Sequence, residues 1–533
     1  MDILEKVSFG LRQIPTTGVL VLVLSSIFYY YFTSTFDFWS ERGVPCKKPT
    51  IILGNFGDLL LFRKSQPEGI SEIYNWFKEA RYIGVYRVRS PILILRDPTL
   101  VKHVCVKDFG CFTNRGIPVN NVDSLSGHLF NAEGGAWKAL RSKLTPVFSS
   151  AKIKRMFYLL VECQEELRKL IGETSRIQDA TLEGVEVREL AANFTIDVIG
   201  SCAFGIRVNA LSGDDSAFRK MATRLSRPSY KATLWRMLRT ALPNVYKTLG
   251  VQVIDPEVTR FFMDVVSQMI EQREKETGEK RHDFMDLLVE LKNRGSLDGD
   301  NGSNLQGFNE EEEGQAAREI VLDDNAIAAQ AFVFFVAGYE TSSNTIAFSL
   351  YELALNQEIQ ETARNEILEA IDRWDGKLTY EAVQEMTFLE MIVLETLRKY
   401  PPAPLISRRC GYLYRIPGTD VELPAGMRVV IPIYGLHHDP AYYPQPERFD
   451  PQRFAEKNKN SRHPYTFLPF GEGPRNCIGT RFAMLQTKVG IISFLRDHRV
   501  EVCEKTIVPI KFSRRSLVTT SEGGFWLKIS SLT

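Results

Sequence analysis

No two cysteines in this chain have the spacing of a redox or zinc motif. The eight cysteines (Cys46, Cys105, Cys111, Cys163, Cys202, Cys410, Cys477 and Cys503) are scattered, with no CxxC and no Cys/His cluster. That excludes a zinc knuckle and argues against a disulfide framework, which belongs to short, cysteine-dense secreted chains. A reducing, cytosol-facing compartment fits better, with most thiols serving as buried packing residues. An excess of charge of one sign is also missing. The 66 basic and 65 acidic residues leave +1, and there is no basic tail, so the composition offers no nucleic-acid surface. No internal repeat divides the 533 residues, 44% of which are hydrophobic, enough for a large core.

What the chain does have begins near its N-terminus. After Arg12 the next charge is Asp37, so residues 13–36 form an uncharged run with the core TGVLVLVLSSIFYYYF. As a helix this run would span about 36 Å at ~1.5 Å per residue, against a bilayer core of roughly 30 Å. Tyr29, Tyr30 and Tyr31 would sit near one interface, where amphipathic rings are favoured. A cleaved signal peptide is the other reading, but no small-residue cleavage site follows. Instead come Arg42, Lys47 and Lys48 in the Pro-containing stretch 37–50. The expectation is a transmembrane anchor over 13–36, a linker over 37–50 and a catalytic body over 51–533.

Within the body, YRVRSPILIL (86–95) predicts a β-hairpin with Ser90-Pro91 at its turn. Residues 151–205 and 257–292 show helical apolar spacing with charged outer faces. Residues 293–316, rich in Gly, Asn and acid, predict a solvated linker, and the run Glu310–Glu313 a charged face. Strands are few and short, so the fold class is mainly α with small β-sheets. From Asn325 to Asn356 runs a long apolar helix with Gly338 in its middle. Glycine there costs about 1 kcal/mol relative to alanine. Close packing of a neighbour is one account and a ligand-accommodating kink the other. Thr341 is placed to bond a carbonyl one turn back. In FLEMIVLETLRKYPPAP, Glu395 and Arg398 are three apart and share one helix face.

The most specific stretch is FGEGPRNCIG, from Phe470 to Gly479. A lone cysteine in a Gly-rich loop can be structural, nucleophilic or a metal ligand. A nucleophile needs a base, and neither His463 nor His498 lies in a recognisable catalytic motif. A thiolate ligand needs N–H donors aimed at sulfur, and glycines supply a backbone free to turn them inward. A haem iron held by one thiolate could use such a nest.

With these residues in view, the chain resembles the cytochromes P-450, the haem-thiolate monooxygenases. FGEGPRNCIG matches the FxxGxRxCxG haem loop, AGYET (337–341) matches AGxxT, and ETLR (395–398) matches ExxR. FDPQRF (449–454) matches FxPxRF, and WKALR (137–141) matches WxxxR. All occur in the family's order. The finer likeness is to the microsomal family-3 clan, above all to insect family-6 members that metabolise plant toxins and insecticides.

The resemblance implies a cytochrome P-450 fold behind a single N-terminal transmembrane helix, and haem b (iron protoporphyrin IX) as cofactor. Cys477 would be the axial iron ligand and Phe470 would shield its sulfur. Arg475, Trp137, Arg141, Arg115 and Arg408 would hold the propionates, with Arg409 an alternative to Arg408. Glu395 and Arg398 would form a buried triad with Arg453, or with Arg448. Thr341 and Glu340 would manage proton delivery during activation of O2. Electrons would come from NADPH through a separate NADPH–cytochrome P-450 reductase, with cytochrome b5 as a further donor. Lys138, Lys143, Lys152, Lys154 and Arg155 would contribute a basic docking patch. The substrate pocket would draw on residues 112–130, 210–255, Phe332 to Val336, 402–406 and Val518-Thr519. The expected activity is monooxygenation of apolar small molecules at the endoplasmic reticulum membrane, with the catalytic body facing the cytosol. A biosynthetic oxidase of a hormone, steroid or fatty acid is the alternative. A haem-dependent isomerase or sensor is another, against which the intact AGYET weighs.

Overall fold

A computed structural model describes residues 16–119, 122–181, 184–212, 216–226, 234–235, 238–239, 242–275, 283–294, 322–458 and 461–532. The expected linker therefore lies outside the described residues from 295 onward, as does part of the 210–255 region.

The first helix, α1 (Thr16–Thr33), buries none of its side chains and is the only described helix long and apolar enough to cross a membrane. The body begins just beyond it. Trp39 is fully buried, its indole N–H donating to the Val85 carbonyl at 3.1 Å. The ring lies on Gly84, where a Cβ would fall 2.4 Å from it, so glycine is what admits the tryptophan. Residues within 37–50 thus pack onto the first sheet.

That sheet has the order β1-β2-β7-β4, with β1 (Tyr82–Arg87), β2 (Ser90–Leu95), β4 (Ile406–Arg409) and β7 (Arg428–Ile431). The expected hairpin is present, but its turn is Val88-Arg89, not Ser90-Pro91: Arg87 pairs with Ser90 and Tyr86 with Pro91. Val88 takes φ +59°, the left-handed conformation that a two-residue hairpin turn demands. Pro91 is tolerated in β2 because pairing with β7 starts only at Ile92. The other sheets are β3-β9-β8, of β3 (Val185–Glu186), β9 (Trp526–Ser531) and β8 (His498–Val502), and β5-β6, of Tyr414–Arg415 and Glu422–Leu423.

The remaining helices that frame the site are α2 (Gly134–Leu144), α3 (Ser150–Thr181), α4 (Val187–Ile199), α5 (Pro256–Lys275), α6 (Phe284–Arg294), α7 (Asp324–Leu355), α8 (Thr387–Lys399) and α9 (Thr480–Leu495). The helical stretch expected over 151–205 is broken by β3. Val185 pairs with Leu527, and the Glu186 carboxylate then caps α4 by accepting from Glu189 N–H at 2.7 Å. A two-residue strand leaves no periodicity to read.

Helix α7 is the central pillar, packed against α4, α5, α8 and α9. Asp323 caps its start, accepting from Ala326 N–H at 2.7 Å. The helix is continuous through Gly338. A Cβ there would lie 2.5 Å from Ile199 Cδ1, so the glycine serves close packing of α4 on α7. Along the N-terminal half of α7, Phe332 and Phe335 join Phe204, Phe218 and Phe262 in an aromatic cluster.

Candidate functional site

The loop before α9 is folded by its own backbone. Cys477 N–H donates to the Phe470 carbonyl at 2.8 Å, and Asn476 N–H to the Gly473 carbonyl at 3.0 Å. Gly473 has φ +74°, and a Cβ on it would fall 1.9 Å from the Cys105 carbonyl oxygen. No other residue fits there. The Phe470 ring packs, half-buried, against the main core.

Burial pushes the Cys477 thiol up. Opposing that are the Gly479 N–H and the nearby Thr480 hydroxyl, whose hydrogen goes to the Cys477 carbonyl at 2.9 Å, then the charges of Arg141 and Arg115. The N-terminus of α9, immediately downstream, adds a favourable dipole for a thiolate. Cys477 is nevertheless exposed. Both facts hold for a sulfur lining an internal cleft, open on one side and surrounded by protein on the others. Ala337, mid-way along α7, is exposed in the same way although most of that helix is buried.

Around this cleft stand four arginines, none in an ion pair with a carboxylate among the described residues, although the charge of Glu133 favours that of Arg475. Arg141 donates to the Asn476 carbonyl at 2.9 Å and to Asn476 Oδ1 at 2.8 Å. Arg115 donates to the Phe130 carbonyl at 2.8 Å. Arg475 donates to the Phe130 and Ala132 carbonyls and stacks over the Trp137 ring at 4.6 Å. Arg408 is buried and donates only to the Ser407 carbonyl, at 3.1 Å. The Nε atoms of Arg141, Arg408 and Arg475 are buried with no partner. Desolvation disfavours the charged form of all four, and mutual repulsion adds to this for Arg115 and Arg475. Such a cluster is stable only beside a dianion. Two carboxylates and a thiolate-seeking metal are what a haem presents, so the donor set fits that group.

Arg409 behaves differently. It pairs with Glu133 at 2.6 Å and is half-exposed. Its charge is met within the protein, while that of Arg408 is not.

Behind the loop, Arg398 and Glu395 are both fully buried. They meet through two bonds, Nε to Oε2 at 2.7 Å and Nη2 to Oε1 at 2.8 Å. Taken alone, the i, i+3 spacing suggests an ordinary surface pair; burial removes that account. Arg453 Nε stands 3.5 Å from Glu395 Oε1, whereas Arg448 is exposed. Sequence reasoning missed His437. Its Nε2 accepts from Leu468 N–H at 2.9 Å, and its Nδ1 faces the Arg398 carbonyl at 3.1 Å. It ties the Glu395–Arg398 pair to the segment leading into the Cys477 loop. One of two adjacent histidines in GLHHDP carries no spacing signal that would single it out.

On α7, the Thr341 hydroxyl donates to the Ala337 carbonyl at 2.6 Å, as its spacing predicts. Glu340 is half-buried beside it. Of the expected pocket segments, residues 112–130 reach α7 through Leu129 N–H donating to Gln330 Oε1 at 2.8 Å. Thr519 is tied to Pro401 and Pro402 by bonds of 2.6 and 3.0 Å. Phe332, Phe334 and Phe335 are buried in the core. Lys154 pairs with Glu381, so its charge is partly met on its own surface.

The family profile described as Cytochrome P450 matches residues 45–527. The chain belongs to the cytochrome P450 family. It is 39% identical over 521 residues to the probable cytochrome P450 6a13 of Drosophila melanogaster, covering 97% of this chain and 99% of that one. It is 37% identical over 507 residues to cytochrome P450 6k1 of Blattella germanica, with 95% of each covered. Cytochrome P450 6B1 of Papilio polyxenes is 36% identical over 510 residues, covering 96% and 98%. Cytochromes P450 are haem-iron oxidoreductases of the monooxygenase class, and the mainly helical fold with small sheets is theirs. The insect family-6 likeness expected from the sequence agrees with these relatives.

Proposed function

We propose that the protein is a membrane-anchored monooxygenase that inserts one atom of O2 into apolar small molecules, including plant toxins and insecticides. One observation carries the site assignment: four arginines crowd the Cys477 cleft and none forms an ion pair with a described carboxylate, only Arg475 feeling the charge of nearby Glu133. Arg115, Arg141, Arg408 and Arg475 would hold the two haem propionates, with Trp137 stacked under Arg475. Cys477 would supply the thiolate that holds the iron, steadied by Gly479 N–H, while the Thr480 hydroxyl ties down the Cys477 carbonyl. Phe470 packs beside that loop and shields the sulfur from water. When bound, the haem supplies the oxygen chemistry.

The chain's own contributions are binding, exclusion of water and proton placement. Glu340 is the carboxyl from which a proton enters the cleft. The Thr341 hydroxyl donates its own hydrogen to Ala337, so its oxygen lone pairs are left to accept a bond from a water or substrate group and orient it. Glu395, Arg398 and Arg453 hold the scaffold behind the loop. Electrons would come from NADPH through a separate reductase or cytochrome b5, docking near the basic side chains of α2 and the start of α3. Helix α1 would anchor the body to the endoplasmic reticulum membrane on its cytosolic side.

The deciding experiment is the ferrous–carbonyl spectrum of the wild type and of Cys477→Ser. The wild type is expected to show the red-shifted Soret band of a thiolate-bound haem and the variant to lose it. A wild type lacking that band overturns the assignment.

A further inference from the structure

Cys111 and Cys410 are 299 residues apart in sequence, yet their sulfurs lie 3.2 Å from each other in the interior. The flanking backbones run side by side. Gly411 N–H donates to the Cys111 carbonyl and Arg409 N–H to the Asn114 carbonyl, both at 2.7 Å. A disulfide bond is ~2.05 Å long, so only about 1.2 Å of approach remains, within reach of side-chain torsion. Both sulfurs also face one acceptor, the Tyr412 carbonyl, at 2.8 Å from Cys410 and 3.8 Å from Cys111. Tyr412 and Leu413 themselves are 59% and 62% exposed, so the pair lies one layer beneath the surface, within reach of a small oxidant. Burial pushes the Cys410 thiol up to about 12, and its contact with Cys111 adds to this.

The position gives the pair a consequence. Cys111 precedes Arg115 by four residues and Cys410 follows Arg408 by two. We propose that Cys111 and Cys410 form a redox-sensitive dithiol that hydrogen peroxide converts to a disulfide, latching together the two segments that carry Arg115 and Arg408. In the first step either sulfur, Cys111 for example, attacks one peroxide oxygen. The O–O bond breaks, a sulfenic acid forms and water leaves with the thiol proton. In the second, Cys410 sulfur attacks the Cys111 sulfur. The S–S bond forms, the S–O bond breaks and a second water carries away the remaining proton. One peroxide is reduced by two electrons and two thiols are oxidised. The site goes beyond the monooxygenase reading and does not depend on it, because added peroxide suffices.

The test uses the full-length, haem-loaded protein. It is treated with hydrogen peroxide, alkylated with N-ethylmaleimide in denaturant and digested without reductant. The expected result is loss of two of the eight alkylatable thiols and a peptide linking Cys111 to Cys410, both reversed by dithiothreitol. Cys111→Ser and Cys410→Ser should each abolish the link; if a serine variant does not fold, Cys111→Ala or Cys410→Val replaces it. Full alkylation of both thiols after peroxide treatment means the pair is only packing and overturns the proposal. Separate sulfinic acids without a link do the same. Haem transfer to apomyoglobin should be slower from the oxidised protein than from the reduced one. Equal rates overturn the latch while leaving the disulfide standing.

Discussion

Arg398 grips Glu395 with two nitrogens on two oxygens, and neither residue is exposed to solvent. Removing one partner strands a buried charge. Arg398→Ala is expected to destabilise the protein by about 3–5 kcal/mol. Arg398→Lys should fare little better, since an ammonium cannot reproduce the planar fork. Chemical denaturation of the haem-loaded protein measures both. A loss under about 1 kcal/mol would show that the pair is not structural.

The crowded arginines predict opposite effects with and without haem. In Arg475→Leu, one of four mutually repelling cations is gone. The haem-free protein should hold or gain stability, while haem dissociates faster. A variant destabilised equally in both forms would place the role of Arg475 in packing on Trp137.

His437 predicts acid sensitivity. Burial holds its pKa well below the ordinary 6.5, and that of the neighbouring His438 at about 3. The unfolded chain takes up these protons below about pH 6.5 and the folded one does not. Stability is therefore full above that value and falls as pH drops through it toward 3. Each proton contributes a slope of about 1.4 kcal/mol per pH unit. His437→Gln should lose one proton's worth of this slope between pH 6.5 and 5. An unchanged slope in urea titrations would assign the acid sensitivity to other groups.

Two glycines form a matched pair. At Gly473 the backbone is left-handed and a Cβ would collide with the Cys105 carbonyl; at Gly135, on α2, there is open space. Gly473→Ala should abolish the thiolate Soret band of the carbonyl complex. Gly135→Ala, in the exposed first turn of α2, should leave the band intact and change stability by less than about 0.5 kcal/mol. A normal band from Gly473→Ala would mean that the loop does not need its close approach to Cys105.

Thr341 offers its oxygen rather than its hydrogen. Thr341→Ala should raise peroxide released per NADPH consumed, and Thr341→Ser should restore coupling. If alanine and serine couple alike, the hydroxyl has no part in proton placement.

Much of the candidate site was legible because the residues gathered around the Cys477 cleft lie in short stretches of fixed spacing. Cys477, Arg475, Glu395 and Thr341 all sit in short stretches where one element sets the geometry. What stayed illegible depends on contacts between distant segments. Nothing local distinguishes Arg408 from Arg409 or Arg453 from Arg448; the partner, Glu133 or Glu395, lies in another part of the chain. The hairpin turn was misplaced by two residues because Ser90-Pro91 carries turn chemistry, while the register of β1 on β2 depends on burial of both strands. The break at β3 is visible only once β9 is there to pair with it. His437 acts through one backbone N–H and one carbonyl, which no sequence pattern records.

The two arginines of β4 carry one last consequence. Arg408 stands opposite Val429 and Arg409 opposite Arg428, and successive strand residues face opposite sides of the sheet. The pleat alone sorts two identical side chains, sending one to the buried cluster and the other to Glu133. Deleting a single residue between Pro404 and Ile406 would shift the strand by one and exchange their duties. The burial of one particular cation is thus encoded in the hydrogen-bond ladder of a four-residue strand, and length in that connection is as constrained as identity.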